Sequence, residues 1–197
     1  MDRYKVPAAP VSARLSIKGS KFICHILPVE SKDEAEAQYQ SIKKRFYDAT
    51  HNCFAYRIDE SLFRFSDDGE PSGTAGRPIL QVLEGNELFE ILCVVTRYFG
   101  GTKLGTGGLI RAYSNAAKEA LKNLKITEKV KQKSLTIKTD YVNEQYVHRL
   151  LSQFSGRVTN SDYSNGVELQ VEIPWSKSEL FLHNLKELTH GQIELIK

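Results

Sequence analysis

Cysteine is scarce: Cys24, Cys53 and Cys93 are the only three in 197 residues. Each lies in an apolar stretch and no two are close in sequence. An odd, scattered set of this kind argues against a disulfide framework. No Cys-x-x-Cys occurs, which removes the usual structural zinc sites, and the neighbouring Cys24 and His25 read as strand residues rather than ligands. Neither a metal nor an organic cofactor is expected. Long apolar runs are missing too. The longest aliphatic run, Ile91-Leu92-Cys93-Val94-Val95, is far short of a bilayer span. The opening Met1-Asp2-Arg3-Tyr4-Lys5 lacks the apolar stretch of a signal peptide. The expectation is a soluble, cytoplasmic protein without membrane association. A large excess of one charge is also absent. The net charge is +3, and the excess falls wholly in residues 1–127, which hold 18 Lys and Arg against 15 Asp and Glu. That balance is compatible with a polyanionic partner but weaker than a strong nucleic-acid footprint.

What is present is a run of α/β signals. Residues 14–29 read as strand material broken at Gly19-Ser20 and ended by Pro28. Ser31-Lys32-Asp33-Glu34 is a capping box, which predicts a helix over residues 32–46. Residues 52–58 and 61–65 read as a strand pair, with Phe63 and Phe65 on one face and assigned to the core. Residues 77–83 and 90–97 read as further strands, the second buried on both faces. The Gly85 segment between them reads as a hairpin turn. An alanine-rich helix is expected over residues 109–123, and residues 125–133 as a linker or strand edge.

Beyond this point the order is β-α-β-β-α-β, the signature of a ferredoxin-like sandwich. Val147, Leu150, Leu151 and Phe154 recur at helical spacing, and Val167, Leu169, Val171 and Ile173 alternate. Ser176-Lys177-Ser178-Glu179 reads as a second capping box, with Trp175 and Leu180 as its hydrophobic staple. The expected layout is an α/β domain over residues 1–127 and a ferredoxin-like domain over residues 131–197.

Nine of the 13 glycines lie between Gly69 and Gly108. Glycine weakens regular structure unless the backbone needs its freedom, so this density marks tight turns or close approach to a ligand. Gly105-Thr106-Gly107-Gly108 leads into a helix, where free N–H groups and the helix dipole favour an anion. Arg97, Lys103 and Arg111 could add charge there. The spacing matches neither a Walker A loop nor a dinucleotide-binding fingerprint. Asp68, Gly69, Glu70, Gly73, Gly76, Gly100 and Gly101 are assigned to a structural loop system, in which Arg97 could pair with Asp68 or Glu70. The same residues admit a catalytic reading: His51 as a base beside Asp68 or Glu70, with the helix start as an anion cradle.

Three motifs carry a family resemblance. They are Ala49-Thr50-His51-Asn52-Cys53-Phe54-Ala55-Tyr56, Asp67-Asp68-Gly69-Glu70-Pro71-Ser72-Gly73-Thr74-Ala75-Gly76, and the run from Arg97-Tyr98-Phe99-Gly100-Gly101 through Gly105-Thr106-Gly107-Gly108 to Arg111-Ala112-Tyr113. They resemble the Impact family, in its bacterial YigZ/YvyE branch. The resemblance implies an α+β chain: a domain like ribosomal protein S5 domain 2, then a ferredoxin-like domain similar to domain V of elongation factor G. It further implies a regulator of translation that binds RNA or the ribosome. Two other classes stay open: a protein-interaction adaptor without chemistry, and a hydrolase of a phosphorylated small molecule or nucleotide.

Overall fold

The computed structural model describes residues 2–196, which divide into two compact units. One comprises residues 5–128. The other comprises residues 129–196 together with residues 2–4. Strands β1 (Arg3–Pro7) and β7 (Ile126–Val130) pair as a separate two-stranded ribbon.

The larger unit is built on a five-stranded antiparallel sheet. Its elements are β2 (Val11–Ile17), β3 (Ser20–Pro28), β4 (His51–Arg57), β5 (Phe63–Ser66) and β6 (Ile91–Tyr98), in the order β2-β3-β6-β4-β5. The central strands are apolar on both faces because both faces are covered. Cys53, Ala55, Cys93 and Val95 point to a core shared with helices α2 (Gly76–Gly85) and α3 (Thr106–Leu121). Phe54, Tyr56, Leu92 and Val94 point to a second core against α1 (Lys32–Arg45). Helix α1 starts where the first capping box places it. The Ser31 hydroxyl accepts from the Glu34 N–H at 3.2 Å, and the Glu34 carboxylate reaches back to the Glu30 N–H at 2.8 Å.

Several sequence expectations are corrected. Residues 77–83 are not a strand; they lie within α2. Ile79, Leu80 and Leu83 are fully buried, each worth roughly 1.5–3 kcal/mol, and Val82 joins them on the apolar side. Pro78 stands in the first turn, where its missing N–H costs no helical bond. Gly85 closes this helix rather than turning a hairpin. Helix α3 begins three residues earlier than expected, so Gly107 and Gly108 belong to its first turn. Phe63 and Phe65 are not core residues. They lie on an edge strand and are 43% and 38% exposed.

The smaller unit contains β8 (Gln132–Thr139), α4 (Glu144–Phe154), β9 (Arg157–Asp162), β10 (Val167–Pro174), α5 (Ser178–Leu188) and β11 (Glu194–Ile196). Its sheet order is β11-β8-β10-β9 with every neighbour antiparallel, as the split βαβ order requires. Val167, Leu169, Val171 and Ile173 face the helices as their alternation predicts. The second capping box does not form. Residues Trp175–Lys177 make a 3₁₀ turn, so the helix starts at Ser178, whose hydroxyl donates to the Trp175 carbonyl at 2.8 Å. Ser176 instead binds the Asp2 carboxylate. Trp175 and Leu180 are both more than half exposed and staple nothing.

Gly76 shows how closely α2 is seated. A β-carbon there would stand 2.7 Å from the Ser66 backbone nitrogen and oxygen, whereas one on Gly73 would meet nothing within 4 Å. Gly76→Ala is therefore expected to destabilise by about 3 kcal/mol or more, through forced separation of β5 and α2. Gly73→Ala should cost about 1–2 kcal/mol from its positive φ alone. Guanidinium denaturation of the two variants checks the difference.

Candidate functional site

The loop between β5 and α2 is organised by two neighbouring aspartates with different tasks. Ala75, the residue that opens α2, offers no side-chain cap. Asp67 supplies one from a distance. One carboxylate oxygen accepts from the Ala75 and Gly76 N–H groups at 2.9 and 2.8 Å, the other from Gly73 at 2.8 Å. These donors would otherwise be orphaned, and a carboxylate also suits the positive end of the helix. Asp68 turns the other way. It accepts from the Asn52 N–H at 2.7 Å and from Lys43 Nζ at 2.8 Å, joining β4 and α1 to the loop. The reversal is made by positive φ angles at Asp68 and Gly69, +40° and +89°.

Glu70 then enters the interior, with its side chain only 3% exposed. Its Oε1 accepts from Arg97 Nη1 at 2.6 Å and from the Tyr113 hydroxyl at 2.7 Å. Its Oε2 lies 3.9 Å from His51 Nε2. His51 Nδ1 is 2.8 Å from the Asp68 carbonyl oxygen. A carbonyl only accepts, so Nδ1 carries the proton and Nε2 is the nitrogen turned to Glu70. Arg97 is itself buried. Its Nη2 reaches the Ser20 hydroxyl at 3.4 Å, and the guanidinium lies 5.6 Å from the ring centres of both Phe22 and Phe99. The Ser20 hydroxyl also accepts from the Gly100 N–H at 3.2 Å. Gly100 and Gly19 meet backbone to backbone; a β-carbon on Gly100 would fall 1.8 Å from the Gly19 carbonyl carbon.

The three thiols are free and buried. Cys53 Sγ lies 3.0 Å from the Asp67 carbonyl and 3.4 Å from the Tyr113 hydroxyl. Burial pushes the Cys53 thiol well above its ordinary range, and burial followed by the adjoining Cys53 does the same to Tyr113. Cys24 and Cys93 face each other with sulfurs 3.4 Å apart as free thiols. The Cys93 thiol, then burial, raise Cys24.

The predicted residues thus separate into two groups. His51, Asp68, Gly69, Glu70 and Arg97 converge, and Gly73, Gly76 and Gly100 serve the same frame. Tyr113, Cys53, Ser20 and Asp67 belong to it as well. None of these four stood out in sequence as a site residue, although Tyr113 ends the third motif and an aspartate before a glycine-rich helix start is a capping signal. Gly105, Thr106, Gly107, Gly108, Lys103 and Arg111 form the second group, at the start of α3. Tyr113 lies seven positions beyond Thr106, about 10 Å along the helix axis. Gly105 precedes the helix with φ +70° and makes no side-chain cap, and no acidic residue occupies the first turn. The N–H groups of Thr106, Gly107 and Gly108 have no backbone acceptor among the described residues. Arg111 Nη1 lies 3.8 Å from the position of a β-carbon on Gly107. Lys103 and Arg111 are exposed, and neither joins an ion pair among the described residues. Gly101, with φ +84°, turns the connection to them. Among the described residues no cluster of His, Cys, Asp and Glu could hold a metal ion. No helix among them is long and apolar enough to cross a membrane.

Comparison with known proteins places this geometry. The Impact N-terminal domain profile matches residues 18–121, which contain every residue of both groups. The chain belongs to the Impact family. A second profile, a domain of unknown function designated DUF1949, matches residues 137–192. Among relatives, the chain is 37% identical to the IMPACT family member YigZ of Escherichia coli, over 100% of this chain and 98% of that protein. It is 39% identical to YvyE of Bacillus subtilis, over 91% and 83%. A crystal structure described as that of a hypothetical protein superposes with a TM-score of 0.75 at 37% identity, covering 100% of this chain and 97% of the other. This Impact-family chain therefore spans nearly the whole length of these relatives, with both domains.

Glu70→Gln leaves the Arg97 charge uncompensated in the interior and is expected to destabilise by about 3–5 kcal/mol. Lys43→Ala, which removes a half-exposed pair, should cost less than about 1 kcal/mol. Urea melts at neutral pH compare them. Ellman's reagent at pH 8 should label no cysteine in the native protein and all three after unfolding; fast native labelling would contradict the burial of these thiols.

Proposed function

We propose that this Impact-family protein regulates translation by binding RNA or the ribosome, and that the start of α3 receives a phosphate of that RNA. The observation that carries this reading is the uncapped first turn of α3. Its free amides, the unpaired Arg111 beside them and the absence of a first-turn carboxylate make an anion site by the ordinary physics of helix termini. The family resemblance, with its S5-like and elongation-factor-like domains, supports RNA as the source of the anion. So does the placement of the chain's positive excess in residues 1–127.

Hydrolysis is less well supported by the same geometry. One oxygen of Glu70 is bonded by Arg97 and Tyr113, and both oxygens of Asp68 are bonded by Asn52 and Lys43. These carboxylates are engaged in holding the fold. No hydrogen bond or ion pair among the described residues joins His51 to the first turn of α3. An adaptor role for protein partners remains the competing class, and it requires no anion at α3.

The test is a binding titration of ribosomes and of structured RNA at two salt concentrations. Binding should weaken by about tenfold or more between 50 and 200 mM salt, as release of counterions from a few phosphate contacts requires. Arg111→Ala and Lys103→Ala should each weaken it and lower the salt slope by about one. Absence of binding at low salt, or binding indifferent to both substitutions, would overturn the assignment.

A further inference from the structure

We propose that Trp175, with Lys131 and Lys133, forms a stacking site for a base of single-stranded RNA. The site lies within the smaller unit and is distinct from the start of α3. Trp175 is the only tryptophan in the chain. It follows β10, and its N–H donates to the Lys131 carbonyl at 2.9 Å, which fixes the residue beside the start of β8. The indole is not part of the core: it is 51% exposed. Lys131 Nζ and Lys133 Nζ lie 5.2 and 5.4 Å from its ring centre. Neither ammonium joins an ion pair among the described residues. Lys177, in the same 3₁₀ turn, turns instead to the Ser155 hydroxyl at 3.2 Å. The Asp2 carboxylate, bonded by the amide and hydroxyl of Ser176, keeps its charge and acts on Lys177, so it offsets that cation rather than the two lysines at the ring.

The chemistry of this patch selects its occupant. Two uncompensated ammoniums converge on one ring, so they repel each other and attract an anion. An exposed indole gains most from a flat π-surface that removes it from water. A single-stranded nucleic acid supplies both: an unstacked base for the indole and flanking phosphates for the lysines. A duplex keeps its bases stacked within the helix and offers only the phosphates. The lysines need not leave the site on binding, since their flexible stems let the ammoniums swing from the ring to the phosphates. The choice of RNA over DNA rests on the proposed function; the stacking itself does not depend on the α3 site.

Because the chain has one tryptophan, its fluorescence reports on this site directly. The full-length protein is titrated at low salt with a single-stranded RNA of about 12 nucleotides, long enough to cover one site. Saturable quenching is expected, and heparin, which carries charge without bases, should leave most of the emission intact. With labelled RNA followed by anisotropy, Trp175→Ala should weaken binding about tenfold, and Trp175→Phe should retain most of the affinity. The double variant Lys131→Gln, Lys133→Gln should weaken binding and flatten its salt dependence. Equal quenching by heparin, or unchanged affinity in Trp175→Ala, overturns the stacking site. Quenching by an acidic peptide but not by RNA overturns it in favour of a protein partner. Arg111→Ala run in parallel separates the two sites. If it alone abolishes binding, the stacking site falls and the α3 site stands; the reverse pattern removes the α3 site only.

Discussion

The buried carboxylate of Glu70 is the contact on which the larger unit's loop system depends. It brings together a residue of β6 (Arg97), one of α3 (Tyr113) and one at the start of β4 (His51). Each comes from a distant part of the chain, so the carboxylate acts as a cross-link rather than as a local turn contact. A buried ion pair is poor evidence of net stability, because desolvation offsets much of its attraction. Its value lies in geometry. A carboxylate in the interior must find donors, and Arg97 of β6 and the Tyr113 hydroxyl of α3 supply them, with His51 beside them. Breaking it leaves a buried cation, so alternative arrangements of the loop are strongly disfavoured.

The two aspartates before it make that arrangement reachable. Asp67 holds the start of α2, while Asp68 holds β4 and Lys43 of α1. The chain must reverse between them and Glu70, which accounts for the positive φ angles at Asp68 and Gly69. Gly76 and Gly100 meet a different demand. Each permits backbone to lie against backbone at distances that a side chain would prevent. The glycine density in the sequence therefore had two physical causes, conformational freedom at some positions and close approach at others. Sequence alone does not distinguish them, since both appear as the same residue.

What could be read from sequence follows the range of the forces involved. The central strands and the βαββαβ order were legible because burial on one or two faces leaves a period in the residues themselves. Helix α1 was legible because its cap is local. Helix α2 was not. Its cap is Asp67, eight and nine residues before the amides it serves, and its short apolar run with a proline resembles a strand. The second capping box shows the opposite error: a local pattern was present, but Asp2, far off in sequence, holds Ser176 instead. Phe63 and Phe65 alternate like core residues, yet β5 lies at the sheet edge, a position that depends on pairing no strand can encode by itself. For the candidate site, the residue types were legible and their grouping was not. Sequence offered Arg97 both as an anion ligand and as a partner of Asp68 or Glu70, and the structure takes the pairing with Glu70 and buries it.

The separation of the two groups has a consequence for the α3 loop. Tyr113 ties the body of α3 to Glu70, so the direction of the helix, and with it the direction of its first-turn amides, is set from two turns away. A bare carboxylate at Glu70 would oppose an anion at the proposed site through an interior that screens poorly. Arg97 prevents this by pairing with Glu70 at 2.6 Å. The opposite charges of the pair offset each other, which leaves the proposed anion site to its own amides and Arg111. Arg97 acts as the counter-charge of Glu70, and the proposed anion site at Gly105–Gly108 gains from that pairing.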